Sequence, residues 1–231
     1  TLGAPGTADA DVLPPDAINP GRNHWVPYRT IGKGREVWLE LWRLYAERLR
    51  DANVPVMMYE LFNEPIYIAL THDHRWEFIT WLQERYGTHK KVNETWGSVY
   101  GSWREIQDHP SPMSDGALWL DYDEYLADTF AELFKAGQHS VREVDPDAVC
   151  VIQPTKRAIY EPPGGVHLSK VSDLEEVIVG PTDGGLWTPG DVPDRPADNL
   201  RDCPLAPAPI SSDLMFALAG ERMLFENELY L

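Results

Sequence analysis

The sequence has little cysteine and little positive charge. Two cysteines, Cys150 and Cys203, occur among 231 residues, which is too few for a disulfide framework, and neither has the spacing of a metal-ligating pair. Twenty Lys and Arg residues stand against 37 Asp and Glu residues, so the formal net charge is −17. A chain this acidic is poorly suited to binding nucleic acid or an anionic membrane surface. We therefore expect neither as a partner.

The sequence also lacks long apolar runs and several well-known site motifs. No run approaches the ~20 residues of a membrane-spanning helix, and no signal peptide is visible. No Gly-rich phosphate loop and no nucleophile-elbow serine motif occurs. The chain begins with Thr1 rather than Met, which leaves the cellular location open between cytoplasmic and secreted.

An apolar run that starts at residue 57 ends abruptly in Asn63, Glu64 and Pro65. A short apolar run that follows a helical pattern is typical of a buried parallel strand, and Pro65 predicts that the strand stops at Glu64. Barrel and open α/β enzymes carry their chemistry at the carboxyl ends of such strands. For Glu64 taken alone, the commoner alternative is that it begins a loop and faces water.

The whole chain shows alternating strand and helix patterns. Strands are predicted at 54–64, 148–153, 174–180 and 222–229, and helices are predicted from Gly34 to about 50 and at 76–86, 92–96, 119–144 and 214–219. Residues 1–33 and 181–209 are rich in Pro, Gly and Asp and are predicted to be irregular loops. Trp38 and Trp42 belong to the apolar stripe of the first helix. Gly87 stands where a left-handed cap would end the second helix, and Gly97 ends the third. The alternation predicts an α/β fold with a parallel sheet.

Three segments resemble parts of known carbohydrate-cleaving enzymes. Residues 59–65 resemble the fourth-strand motif of clan A glycoside hydrolases, which are (β/α)8 TIM barrels, and residues 227–230 resemble their seventh-strand segment. Residues 76–97 resemble the family 42 β-galactosidases and their relatives. The resemblance implies that Glu64 is the general acid/base, that Glu228 is the nucleophile, and that Asn63 hydrogen-bonds the sugar 2-hydroxyl.

The residues leave a choice for the nucleophile. Glu226 and Glu228 are two apart on a predicted strand and therefore share a face. Glu228 is favoured because it lies nearer the carboxyl end and follows an Asn, as the clan pattern has it. The same spacing predicts that Glu60 shares the face of Glu64, at a deeper level.

If these strands are the fourth and the seventh, the first three and the eighth are mostly missing. The expected fold is therefore a partial (β/α)8 barrel that covers about strands 4 to 7, with residues 1–231 forming one incomplete catalytic domain of a longer chain. The oligomeric state stays open.

Aromatic and polar side chains outside the two strands are further candidates for sugar contacts. Trp187 follows a predicted strand in a Gly-rich loop and could stack on a sugar ring, and Asp183 at the same strand end could hydrogen-bond a hydroxyl. Trp96, Trp103 and Trp119 are weaker stacking candidates, since packing is the commoner role of any single Trp.

Two short motifs carry less weight. His72, Asp73 and His74 could bind a metal, but alternating residues of this kind in a predicted loop are usually just solvated. Residues 93–95 form an N-glycosylation sequon, which matters only in a eukaryotic secretory pathway.

Together these patterns predict a glycoside hydrolase that works without a cofactor. The resemblance to clan A implies that it is a retaining enzyme that cleaves β-glycosidic bonds by double displacement with two glutamates, with β-galactosides as candidate substrates. Its expected partner is a small glycoside, an oligosaccharide or a polysaccharide. The alternatives are a barrel that binds or displays carbohydrate without catalysis, and metal-dependent hydrolysis through His72 and His74.

Overall fold

The computed structural model describes residues 32–63, 65, 72–106, 116–154, 166–179, 215 and 217–225. Its helices and strands in chain order are α1 (Gly32–Asp51), β1 (Tyr59–Asn63), α2 (His72–Tyr86), α3 (His89–Trp96), α4 (Gly116–Arg142), β2 (Cys150–Gln153), α5 (Leu168–Val171), β3 (Val177–Val179) and β4 (Met223–Phe225). Short 3-10 turns lie at Trp103–Glu105 and Ser172–Leu174.

The strands pair in parallel: β1 with β2 and β3 with β4. The predicted alternation of strands and helices is confirmed, and each predicted strand has an observed counterpart. The bounds differ, because the strand predicted from residue 54 begins at Tyr59. Pro55 has no N–H to give to a ladder, and the Met57 side chain is 69% exposed, so this stretch leads into the strand instead of belonging to it.

Helix α2 corrects a second expectation. It begins at His72 rather than at residue 76, so the His72–His74 motif lies in the first turn of a helix and not in a loop. A search for apolar periodicity misses such a turn, because its residues are polar. Within the described ranges, no group of three or more His, Cys, Asp or Glu side chains could hold a metal ion. No helix there is long and apolar enough to cross a membrane.

The core lies between the β1–β2 pair and the two long helices α1 and α4. The Phe62 ring of β1 lies 5.1 Å from Trp42 of α1 and 4.9 Å from Phe130 of α4, measured between ring centroids. All three side chains are at most 1% exposed. Aromatic pairs at this spacing add to the free energy gained from burying their apolar area, so these contacts fix both helices against β1.

Two glycines end helices as the sequence predicts. Gly87 follows α2 with a φ of 73°, and Gly97 follows α3 with a φ of 68°. Both conformations are left-handed and favour glycine. Between the two glycines, Thr88 caps α3 by accepting a hydrogen bond from the Lys91 backbone N–H.

Asn93 of α3 fixes the chain that follows the helix. Its side-chain oxygen accepts hydrogen bonds from the Ser98 hydroxyl at 2.7 Å and from the Tyr100 N–H at 2.9 Å. Its amide nitrogen donates to the Tyr100 carbonyl at 2.8 Å. One side chain thus replaces the backbone bonds that an irregular segment cannot make for itself.

Gly137 allows α4 to approach β1 closely. A Cβ atom at this position would lie 2.8 Å from Trp42 Cζ3 and 3.0 Å from Leu61 Cδ1. We expect Gly137→Ala to destabilise the fold, because overpacking costs about 1–3 kcal/mol while the better helix propensity of Ala returns only about 1 kcal/mol.

Urea denaturation measures this effect on the free energy of unfolding. Trp42→Phe serves as the partner in a double-mutant cycle, since a smaller ring should absorb part of the strain. Equal costs of Gly137→Ala in both backgrounds would show that the Trp42 contact is not the cause.

Candidate functional site

The carboxyl ends of β1 and β2 carry two amide side chains. Asn63, half-buried, is the last residue of β1 and lies in register with Gln153, the last residue of β2, which is 2% exposed. A buried proline, Pro65 or Pro154, follows shortly after each strand. Because β1 and β2 are parallel, both amides lie at the carboxyl-terminal end of the sheet, where α/β enzymes bind their ligands. Gln153 was not predicted as a site residue, although its place between a strand and a proline is a usable signal.

A bulge in β1 changes which side chains share a face. The register pairs Glu60 with Val151 and Asn63 with Gln153, and it shifts between Glu60 and Phe62. Val151 and Gln153 are two apart on β2, so Glu60 and Asn63 lie on the same face. The prediction that Glu60 shares the face of Glu64 assumed unbroken alternation, which the bulge interrupts within β1; Glu64 itself lies outside the described residues.

Several predicted site residues lie outside the described residues: Glu64, Asp183, Trp187, Glu226 and Glu228. The distance between the two proposed catalytic carboxylates is therefore not part of the described geometry. Asn63 and the three weaker stacking candidates are the predicted sugar-contacting residues whose positions are described.

The weaker stacking candidates are all partly buried and pack against the core. The Trp96 indole N–H donates to Asp121 at 2.7 Å, and the Tyr86 hydroxyl donates to the same carboxylate oxygen at 2.6 Å. These two bonds join α2, α3 and α4 at one buried carboxylate. The Trp103 ring lies edge-on to the ring of His89, and the Trp119 ring lies 6.0 Å from that of Tyr122.

Cys150 is a buried small side chain with 0% exposure. Burial raises the pKa of its thiol to about 12. Since the thiolate is the reactive form of cysteine, this side chain is not a nucleophile at neutral pH.

Glu175 is a buried carboxyl group that the sequence did not single out. It lies just before β3, is 6% exposed, and accepts a hydrogen bond from the Ile152 backbone N–H of β2 at 2.8 Å. Burial raises its pKa to about 8, although the bond from Ile152 and the nearby Arg222 both favour the charged form. The only sequence signal is a pair of acidic residues within a predicted apolar strand.

A cavity of about 440 Å³ lies near the amino end of β1. It is lined by residues 55–61, by Tyr45 and Leu49 of α1, and by Val151 and Val179. Neither Asn63 nor Gln153 lines this cavity, so the cavity is separate from the carboxyl-terminal end of the sheet, where sugar chemistry is expected.

Comparisons with known proteins identify the family of the chain and structures that share its fold. The sequence model of the glycoside hydrolase family 42 β-galactosidases matches residues 19–163, a range that includes β1 and Glu64 but not Glu228. A β-galactosidase from an Arthrobacter species is 24% identical over 246 aligned positions, which cover 86% of this chain and 34% of the relative. The β-galactosidase Bga of Halorubrum lacusprofundi is 36% identical over 78 residues, 30% of this chain and 11% of the relative.

Solved structures of β-galactosidases share the fold. That from Bacillus circulans sp. alkalophilus superimposes with a TM-score of 0.62 at 20% identity, covering 82% of this chain and 27% of that structure. That from the psychrophilic Marinomonas ef1 gives a TM-score of 0.53 at 18% identity, covering 70% and 26%. The chain thus spans only 11% to 34% of the length of the curated relatives described above. With the family match covering well over half of its residues, the chain belongs to the family 42 β-galactosidases of the glycoside hydrolases.

Proposed function

We propose that the protein containing this chain is a retaining β-glycosidase that releases galactose from β-galactosides. The observation that carries the proposal is the place of Asn63. It ends a parallel strand immediately before the Glu64–Pro65 pair, beside Gln153 at the carboxyl-terminal end of the sheet. Family membership supports the same reading, and so do the β-galactosidase names of the relatives.

The chemistry requires two carboxyl groups with opposite tasks. Positive charge develops on the anomeric carbon while negative charge develops on the leaving oxygen. In the proposal Glu64 protonates the leaving oxygen, and Glu228 attacks the anomeric carbon to form a glycosyl-enzyme. Glu64 then removes a proton from the water that hydrolyses this intermediate. Retention of configuration requires the two groups to lie about 5–5.5 Å apart.

Asn63 fits the task of binding the sugar 2-hydroxyl. Its amide offers both a donor and an acceptor, and its half-buried position at the strand end leaves part of the side chain accessible. Hydrogen bonds to this hydroxyl that strengthen in the transition state lower the barrier. Trp187 as a stacking platform and Asp183 as a hydroxyl ligand complete the proposed site.

The proposed architecture is one incomplete barrel domain over residues 1–231, in which β1, β2, β3 and β4 correspond to about strands 4 to 7. The parallel pairing of β1 with β2 and of β3 with β4 supports it. The full-length protein is then the active species, because open sheet edges and an unclosed interior cost stability.

A mechanism-based label tests the function. We expect the full-length protein, treated with 2-deoxy-2-fluoro-β-galactosyl fluoride, to lose activity as one sugar attaches to Glu228, detected by peptide mass spectrometry. The fluorine slows both steps, and the good leaving group lets the first outrun the second, so the intermediate accumulates.

Glu226→Gln is the matched control and should still be labelled at Glu228. Labelling of Glu226 in the wild-type protein would reassign the nucleophile. Binding of galactose without any label would favour the alternative of a non-catalytic carbohydrate-binding barrel.

A further inference from the structure

Arg222 lies immediately before β4, and its side chain binds four backbone carbonyl groups. Nε donates to Ala219 O at 3.1 Å, Nη1 donates to Ser172 O and to Glu175 O (the latter at 3.0 Å), and Nη2 donates to Leu218 O. Four of the five guanidinium hydrogens are thereby used. These four hydrogen bonds, the Arg222 clamp, join the end of the helical turn before β4 to the backbone that leads into β3.

The two halves of the clamp differ in what they stabilise. Leu218 and Ala219 end a helical turn that Gly220 closes with a φ of 58°, and the last carbonyls of a helix lack partners within it. A cation at this end is favourable. Ser172 and Glu175 lie instead in the segment that leads into β3. Only the bonds to these two carbonyl groups therefore connect β4 to β3.

The ladder between β3 and β4 determines its own register only weakly. It has three described pairs, Val177 with Met223, Ile178 with Leu224, and Val179 with Phe225. All six residues are apolar, and Met223 is 66% exposed. A slip of β4 by one residue would leave two of the three pairs apolar and bring Arg222 or Glu226 into the third, so most of the usual penalty for burying a polar face is absent.

The bond from Arg222 to the Glu175 carbonyl removes this ambiguity. It joins the residue one before Met223 to the residue two before Val177, at the start of the ladder. The Glu175 side chain in turn accepts the Ile152 N–H of β2, and β2 is paired with β1. The described strands are thus linked in sequence from β4 back to β1.

We propose that Arg222 is a positioning residue that sets the register of β4 on β3. In the same way it sets the position, along the strand direction, of the proposed nucleophile Glu228, which follows β4. This second part of the proposal rests on the function proposed above for Glu228. A one-residue slip moves a strand by about 3.3 Å and turns every side chain to the other face. Arg222 touches neither the sugar nor the reacting atoms in this role.

Arg222→Met in the full-length protein tests the proposal, with Arg222→Lys as a second variant. Lysine keeps the charge but offers three donors from a single nitrogen, so it cannot bridge both sides of the clamp. We expect Arg222→Met to lower kcat for an aryl β-galactoside by at least about 10²-fold, since a misplacement of only about 1 Å can already cost that much. KM should change little, because binding of the ground-state substrate does not depend on the exact position of the nucleophile. Arg222→Lys should fall in between.

Hydrogen exchange provides a readout that does not depend on activity. Peptides spanning β3 and β4 should lose protection in Arg222→Met, while peptides from α1 and α4 keep theirs. Arg48→Met is the matched control, because Arg48 is exposed on α1, and it should change neither kcat nor exchange. All rates are referred to the folded fraction, so a variant that is merely less stable is recognised by uniform loss of protection.

The outcomes separate this inference from the proposed function. Unchanged protection of β4 in Arg222→Met, or a loss of activity that only tracks the folded fraction, overturns the register role. A wild-type protein that cleaves no β-galactoside overturns the proposed function, and exchange in β4 then decides the role of Arg222 by itself.

Discussion

Glu228→Gln is expected to remove turnover of every β-galactoside, lowering kcat by about 10⁴-fold or more. Loss of a covalent nucleophile acts on this scale because the two-step route through the intermediate disappears with it. The amide of Gln cannot attack the anomeric carbon, yet it has almost the same shape as the carboxyl group. Binding of galactose should therefore persist, and isothermal titration can verify it.

The measurement is the initial rate with a nitrophenyl and with an alkyl β-galactoside. Both rates should fall together, since the nucleophile acts on the sugar whatever the leaving group. Glu226→Gln is the control with the same chemical change two residues away, and it should retain far more activity. A fully active Glu228→Gln protein would show that this residue is not the nucleophile.

Glu64→Gln is expected to have an effect that depends on the leaving group. General acid catalysis contributes about 10²–10⁴-fold, and a poor alkyl leaving group needs all of it. A dinitrophenol leaves without help, so the first step with its galactoside should be almost unaffected. Slow hydrolysis of the intermediate should then limit turnover, because Glu64 also activates the water.

The pH profile supplies a second readout of Glu64. The basic limb of kcat/KM for the alkyl substrate, which reports loss of the acid's proton, should vanish in Glu64→Gln. Glu84→Gln, an exposed change on α2, is the control and should keep the limb. Equal losses of kcat/KM for the alkyl and the dinitrophenyl galactosides would mean that Glu64 is not the general acid.

The sequence predicted the alternating α/β order because apolar periodicity is a local property of the chain. The pattern of Trp38 and Trp42 marked α1, and both residues are buried where the pattern placed them. Glycine caps at Gly87 and Gly97 were equally visible, since the left-handed conformation favours one residue type. Asn63 was predicted at a strand end from the proline that follows shortly after it.

Features that depend on contacts far apart in the chain were not predictable. The bulge in β1 arises where Leu61 and Phe62 both pack toward the helices, and the only sequence sign is two neighbouring apolar residues. Glu175 bonds Ile152 from 23 residues away, and Arg222 reaches Ser172 across 50. Short strands give few pairs to count, so their register came from these distant bonds and not from pattern.

The role of Asn93 bears on how the protein should be made. The sequon at residues 93–95 would invite a glycan in a eukaryotic secretory host, and the sugar would be attached to the nitrogen that now donates to the Tyr100 carbonyl. A bulky oligosaccharide on this half-buried amide would compete with the loop that it holds. A bacterial expression host, which leaves the amide unmodified, suits the folded segment from α3 to Ile106 better than yeast or insect secretion.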